Sequence, residues 1–120
     1  MAQVPTLPIR RNIKIQRGAR KSLSWDIRDA DGQLIDVGPA RMQIRDQPEG
    51  ALVLDCTAYI ANPSTGLYQL VLEPLQTSAL PIDAGGAAWV YDIFHDDTVV
   101  GLGTQQWFVG QIIGVPRVTQ

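Results

Sequence analysis

The stretch AAWVYDIFHDD, residues 87–97, alternates large apolar side chains with smaller or polar ones, and this alternation decides the fold class. Successive side chains of a β-strand point to opposite faces. One face of this strand is apolar and aromatic and predicts a wall of the core: Trp89, Tyr91 and Ile93. The other face is mixed: Val90, Asp92 and Phe94. We expect His95 at the end of the strand, beside a turn that begins at Asp96.

The same period of two recurs along most of the chain and predicts an all-β protein. Turn-forming sequences separate the runs, among them DADG at 29–32, QPEG at 47–50 and NPSTG at 62–66. Pro74 and Pro81 bracket one short helical turn. These signals predict a single antiparallel β-sandwich of about seven strands, over residues 11–120. Residues 1–10 contain two prolines and no periodic pattern, so we expect an extended N-terminal arm there.

Length and composition fit one globular domain. The chain has 120 residues, of which 45% are hydrophobic, and a net charge of −2. Cys56 is the only cysteine, so no intrachain disulfide is possible, and its apolar surroundings predict a buried thiol rather than a reactive one. We find no stretch with the length of a signal peptide or of a membrane span, and we expect synthesis in the cytoplasm.

Basic residues are concentrated near the N-terminus. Seven of the ten Lys and Arg residues lie in the first 28 positions, while the remainder of the chain has three bases against eleven acids. This asymmetry suits either a solvated strand face or docking onto an acidic protein surface. Nucleic acid is the least favoured partner, because no aromatic residue that could stack on bases precedes Trp25.

The sequence predicts neither a catalytic site nor a metal site. His95 is the only histidine, so a metal site would need both Asp96 and Asp97, whose side chains diverge on a turn. No serine lies in a strand-to-helix elbow, and the only Cys–His pair uses Cys56, which is expected to point inward. We predict no catalytic residue, cofactor or metal, and therefore a protein that is not an enzyme.

The apolar stretch QQWFVGQIIGV, residues 105–115, cannot place all its large side chains on one face of a regular strand. It is either a buried central strand or a subunit interface that exposes apolar residues such as Trp107. Its glycines, with those at 101 and 103, predict bulges or close approach of a neighbouring backbone.

Taken together, these elements resemble small structural proteins of tailed-phage virions, and in particular the N-terminal domain of phage baseplate upper proteins. The likeness covers residues 11–119. It is carried by an RG turn, a D-x-x-G hairpin, an R-x-x-I-R strand, a Y-D hairpin start and a closing V-T, at the following positions: Gly18, 29–32, 41–45, Tyr91, Asp92, Gly110, Val115, Val118 and Thr119. The sequence departs from the pattern in having RGAR where an acidic G-D turn is usual.

This resemblance implies an immunoglobulin-like sandwich that acts as a non-enzymatic subunit of the virion, either in the tail and baseplate or as head decoration. The implied partners are other virion proteins, with many copies in a symmetric assembly and no membrane. We expect contacts through the basic arm and the exposed apolar strand, with the following candidates: Arg10, Arg11, Arg17, Arg20 and Trp107. The alternative is a carbohydrate-binding module that stacks sugars on its aromatic rings: Trp25, Trp89, Tyr91 or Trp107. A hydrolase that uses His95 is a third hypothesis.

Overall fold

A computed structural model describes residues 9–29, 31–97 and 103–116, apart from the side chains of 97 and 103–105. Residues 1–8 of the predicted arm, positions 98 and 99 of the predicted turn and the closing V-T lie outside these ranges. The last two residues of the predicted arm, 9 and 10, form a strand that pairs within the larger sheet. The described part contains nine strands: β1 Ile9–Arg10, β2 Ile13–Gln16, β3 Lys21–Asp26, β4 Ala40–Arg45, β5 Leu52–Asp55, β6 Ile60–Ser64, β7 Leu67–Leu72, β8 Ala87–Asp97 and β9 Gly103–Val115. It also contains a 3-10 turn at Thr57–Tyr59 and one short helix, α1, at Pro74–Ser78. No helix within it is long and apolar enough to cross a membrane.

The strands form two sheets that pack face to face. The larger sheet has the order β5-β4-β8-β9, and both β1 and β2 pair with the far edge of β9 in parallel. The smaller sheet has the antiparallel order β3-β7-β6. One hydrophobic core lies between the inner faces of the two sheets. The predicted all-β, immunoglobulin-like sandwich is confirmed.

Strand β8 has the two faces that its sequence predicts. Trp89, Tyr91 and Ile93 are 8%, 4% and 1% exposed. The side chains between them, Val90, Asp92 and Phe94, are half-buried on the other side of the sheet. The expected strand end at His95 is wrong, because His95 pairs with Ala40 of β4 and with Gln105 of β9, and the pairing with β9 continues as far as Asp97. Its side chain therefore points to the inner face.

A β-bulge in β9 brings two adjacent rings into the core. Ile93 pairs with Phe108 and Phe94 pairs with Gln106, so Trp107 is the extra residue of the longer strand. A bulge breaks the alternation locally, which allows neighbouring side chains to share one face. Trp107 and Phe108 are accordingly 1% and 7% exposed. The bulge lies at Trp107 rather than at a glycine.

The predicted close approach of backbone occurs at Gly110. A Cβ atom at this position would collide with the carbonyl oxygen of Arg11, which also accepts a hydrogen bond from the Tyr91 hydroxyl. Residues 11 and 12 join β1 to β2 beside β9 here, and the Asn12 side chain accepts the Gln111 N–H at 3.0 Å in place of a backbone carbonyl. These contacts hold the N-terminal strands against the sandwich.

Several connections differ from the sequence-based expectations. Pro63 lies inside the edge strand β6, and the turn follows at Gly66, which has a φ of +73°. The run QLIDV at 33–37, which follows the predicted DADG turn, contributes only one bridge, between Leu34 and Arg28. Leu52 is 49% exposed because β5 is a short edge strand. The short helix is confirmed, and Glu73 and Gln76 cap its start reciprocally.

Candidate functional site

His95 belongs to a buried aromatic cluster. The Trp25 indole N–H donates to His95 Nε2 at 3.2 Å, and Nδ1 lies 3.0 Å from the carbonyl oxygen of Gly38. Because an indole N–H can only donate, Nε2 is the acceptor and Nδ1 carries the proton. The Tyr68 ring packs edge-on against the imidazole, with centroids 4.5 Å apart. The neutral ring thus cross-links β3 to the connection before β4.

This arrangement leaves His95 no means of acting on a ligand. The side chain is 0% exposed, and the Nε2 lone pair that would bind a metal or accept a proton is already used by Trp25. In the part of the chain that the structure describes, no three His, Cys, Asp or Glu side chains gather into a set that holds a metal ion. Burial also raises the pKa of the Cys56 thiol to about 12, so this thiol stays protonated and is a poor nucleophile.

A second site lies on the opposite side of the larger sheet, on the face turned away from the core. An open groove of about 560 Å³ crosses β9, β8 and β4 there. We call it the outer-face groove, and its charged lining is formed by Arg10, Arg45, Glu49 and Asp92. Val90 and Val109 form apolar parts of its floor, with Gln43 and Gln106 beside them. β1 borders the groove on one side, and the turn between β4 and β5 borders it on the other.

Asp92 is the half-buried carboxylate of this groove. Burial raises its pKa above the ordinary value of 3.8, although the Gln106 side chain and the charges of Arg45 and Arg41 oppose the shift. Within the described residues, Asp92 forms no ion pair shorter than 4.0 Å: the three pairs found there are Arg20–Glu73, Arg28–Asp26 and Arg41–Asp96. The fold therefore holds a partly desolvated charge without an ionic partner in contact.

Two further charged residues of the groove, Arg45 and Glu49, lie in or beside the turn between β4 and β5. The Arg45 guanidinium donates to the Gly50 carbonyl and to Gln43 Oε1, both at 2.8 Å, which leaves further N–H donors on the same group. Glu49 has a φ of +60°, a conformation that L-residues seldom adopt, at the third position of the QPEG turn. That turn is closed by a bond from the Gly50 N–H to the Gln47 carbonyl.

The predicted contact arginines separate into two groups. Arg10 lines the outer-face groove, and its side chain makes no hydrogen bond or ion pair within the described residues. The other three bind within the sandwich. Arg11 donates to the Ser24 carbonyl at 3.3 Å, and Arg20 pairs with Glu73 at 3.2 Å. Arg17 donates to the carbonyls of residues 78 and 82, at 3.3 and 3.4 Å.

Trp107 requires a correction. It was expected among the exposed contact residues, but its side chain is buried, since the bulge turns it inward. The apolar residues of β9 that do face outward are Val109, half-buried, and Ile113, which is 40% exposed. The rings proposed to stack on sugars are all in the core: Trp25, Trp89, Tyr91 and Trp107. None of them presents a face to a carbohydrate.

The outer-face groove was not predicted as a unit. Asp92 and the pair Arg41 and Arg45 had been noted only as parts of the virion-protein pattern, on strands 47 residues apart in sequence (92 minus 45). The register of β4 with β8 sets Gln43 opposite Asp92 and Arg45 opposite Val90, which brings both motifs to one patch. A charged residue in the middle of an otherwise apolar strand was the available signal.

Comparison with known proteins gives a structural similarity and no sequence match. No family model matches the chain, and no curated protein sequence matches it. Among solved structures, the chain is similar to one described as "Crystal structure of the ZIG-8 IG1 homodimer", with 7% identity and a TM-score of 0.40. That alignment covers 97% of this chain and 88% of the other. The immunoglobulin-like assignment rests on the topology of the two sheets.

Proposed function

We propose that the protein is a non-enzymatic structural subunit of a tailed-phage virion, an accessory of the tail and baseplate or a decoration protein of the head. In this role it is assembled in the host cytoplasm and binds neighbouring virion proteins. The sequence resemblance over residues 11–119 supports the virion assignment. The outer-face groove supports the mode of action, which is protein–protein docking.

The single observation that carries the docking role is that the Asp92 carboxylate is half-buried without an ion-pair partner within the described residues. A carboxylate that is partly removed from water costs stability unless it is paired, and here the fold supplies no contacting cation. A partner that brings a cationic or hydrogen-bonding group would remove this cost. The half-buried valines around Asp92 and the exposed Ile113 add apolar area to the same face.

Arg10 extends the docking face to β1, the strand formed by the last two residues of the predicted N-terminal arm. Among the four predicted contact arginines, it alone has a side chain without a hydrogen bond or ion pair inside the described residues, and it borders the groove. A charge at the rim of an interface mainly affects the rate of association and its dependence on salt. Repetition in a symmetric assembly raises the effective concentration, so that modest contacts of this kind hold a subunit in place.

The proposal is tested on purified particles from lysates of the host that carries the coding sequence. We expect the chain to copurify with the particles at a fixed copy number, and electron microscopy with a labelled antibody to place it on the head or tail. Arg10→Ala should lower its retention at raised salt, whereas Arg20→Ala, the matched control, should not. Absence of the chain from purified particles would contradict the proposal.

A further inference from the structure

The charges of the outer-face groove alternate in sign across the sheet. In the strand order β1-β9-β8-β4-β5, Arg10 lies on β1 and Asp92 on β8. Arg45 lies on β4, and Glu49 lies in the turn that leads to β5. All four line the same groove, so its charged lining reads plus, minus, plus, minus and sums to zero. A partner of a single sign would meet repulsion at half of these positions.

Alternation of this kind is self-complementary. In a two-fold interface the same patch faces itself in reversed order. With a two-fold axis midway between Asp92 and Arg45, Asp92 of one copy faces Arg45 of the second copy. Arg45 of the first copy likewise faces Asp92 of the second, so that two equal ion pairs form. Arg10 and Glu49 lie outside Asp92 and Arg45, one on each side. The same two-fold symmetry brings Arg10 of each copy toward Glu49 of the other.

We propose that the outer-face groove is the contact between two copies of this chain, which pair Asp92 with Arg45 across a two-fold axis. The inference rests on the proposed function for its role in the virion, and it names the partner that the docking face takes. The raised pKa of Asp92 agrees with it, because a carboxylate held without a contacting cation is completed by the second copy.

The size of the face sets the expected affinity. Four strands about 4.8 Å apart, over the six-residue overlap of β4 and β8, give a footprint on the order of 400 Å² for each copy. Stable complexes bury about 800 Å² per partner. The contact is therefore weak in isolation and strengthened where copies are concentrated, as in a virion.

The test is sedimentation equilibrium of the isolated chain at concentrations up to about 1 mM. We expect a monomer–dimer equilibrium that weakens as salt is raised. Asp92→Arg and Arg45→Asp should each weaken association about tenfold or more, because like charges then face each other. An equimolar mixture of the two variants should associate more tightly than either alone, since opposite charges are restored.

Asp31→Arg is the matched control, because it makes the same charge change at an exposed turn position away from the groove. Circular dichroism checks that each variant folds. If Arg45→Asp does not fold, Arg10→Glu mixed with Glu49→Arg makes the same comparison. A chain that stays monomeric throughout, or mixed variants that associate no better than the separate ones, would overturn the inference. Neither result depends on whether the chain is found in particles, which is the test of the proposed function.

Discussion

The two faces of β8 differ in how completely their polar groups are satisfied. On the inner face, His95 is fully buried and both ring nitrogens lie within hydrogen-bonding distance of Trp25 and Gly38. On the outer face, Asp92 is half-buried, and its pKa is raised by that burial. The same strand thus carries a closed polar network on one side and an incomplete one on the other.

This difference separates the requirements of folding from those of binding. A buried polar group without a partner costs about 1–3 kcal/mol, so a core tolerates few of them. An outer face tolerates such a group because water still reaches it in the free protein. We therefore expect substitutions on the inner face to change the free energy of unfolding, and substitutions on the outer face to change association.

The largest effect is expected for Trp25→Ala. The indole stacks on Tyr68 with centroids 5.8 Å apart, meets Phe108 edge-on and donates to His95. Its removal should lower the free energy of unfolding by about 3–5 kcal/mol, measured by urea denaturation. Phe94→Ala on the outer face is the control and should cost far less. Equal losses in the two variants would remove the distinction between the faces.

Gly110→Ala should cost about 3 kcal/mol, because the added methyl group meets the Arg11 backbone rather than a movable side chain. Gly85→Ala is the matched control, since its Cβ would lie 3.4 Å from the Asp83 side chain, an ordinary contact. Thermal unfolding of both variants measures the difference. A tolerated alanine at 110 would show that β1 and β2 do not approach β9 as described.

His95→Leu should cost about 2 kcal/mol, because it leaves the Trp25 indole N–H without its acceptor in the core. The Gly38 carbonyl keeps its bond from the Tyr68 hydroxyl at 3.0 Å. His95→Gln offers an amide oxygen to the indole and should recover part of the loss. If the leucine variant matched the wild type in denaturant titrations, the buried network would contribute nothing to the free energy of unfolding.

The smallest effect on stability is expected for Asp92→Asn. Since burial raises the pKa of Asp92 above 3.8, the native state binds the proton more tightly than the unfolded chain does. Wild-type stability therefore falls as pH rises through the window just above 3.8, and the asparagine variant escapes that fall. At pH 7 the variant should equal or slightly exceed the wild type, within about 0.5 kcal/mol. Paired urea titrations at pH 3 and pH 7 measure it, and a marked loss at pH 7 would contradict the assigned cost of burying the carboxylate.

Much of the sandwich was predictable, because alternation along a strand directly records which side chains face the core. The two faces of residues 89–94 and the helical turn at Pro74 followed from local pattern alone. What local pattern does not contain is how far a strand stays paired. His95 was assigned to a strand end because two aspartates follow it, whereas β9 stays paired with β8 as far as Asp97.

The candidate site was less predictable, since it depends on register between distant strands. Because of the bulge at Trp107, the Gln106 side chain before it points to the face opposite to the one that strict alternation predicts. No glycine or turn residue lies at the bulge to indicate it in the sequence. Arg45 and Asp92 meet only because β4 and β8 pair with Gln43 opposite Asp92. Arg10 was singled out by charge, yet its difference from Arg11, Arg17 and Arg20 arises from bonds that only the folded chain makes.

The most direct test of the division between the two faces is the urea unfolding curve of Asp92→Arg, recorded at a protein concentration low enough to keep the chain monomeric. We predict a cooperative transition whose free energy lies within about 0.5 kcal/mol of the wild type, as for most surface substitutions, because Asp92 makes no ion pair within the described residues that the change would break. A loss of more than about 2 kcal/mol would show that the outer face contributes to folding, in contradiction to the role assigned to it.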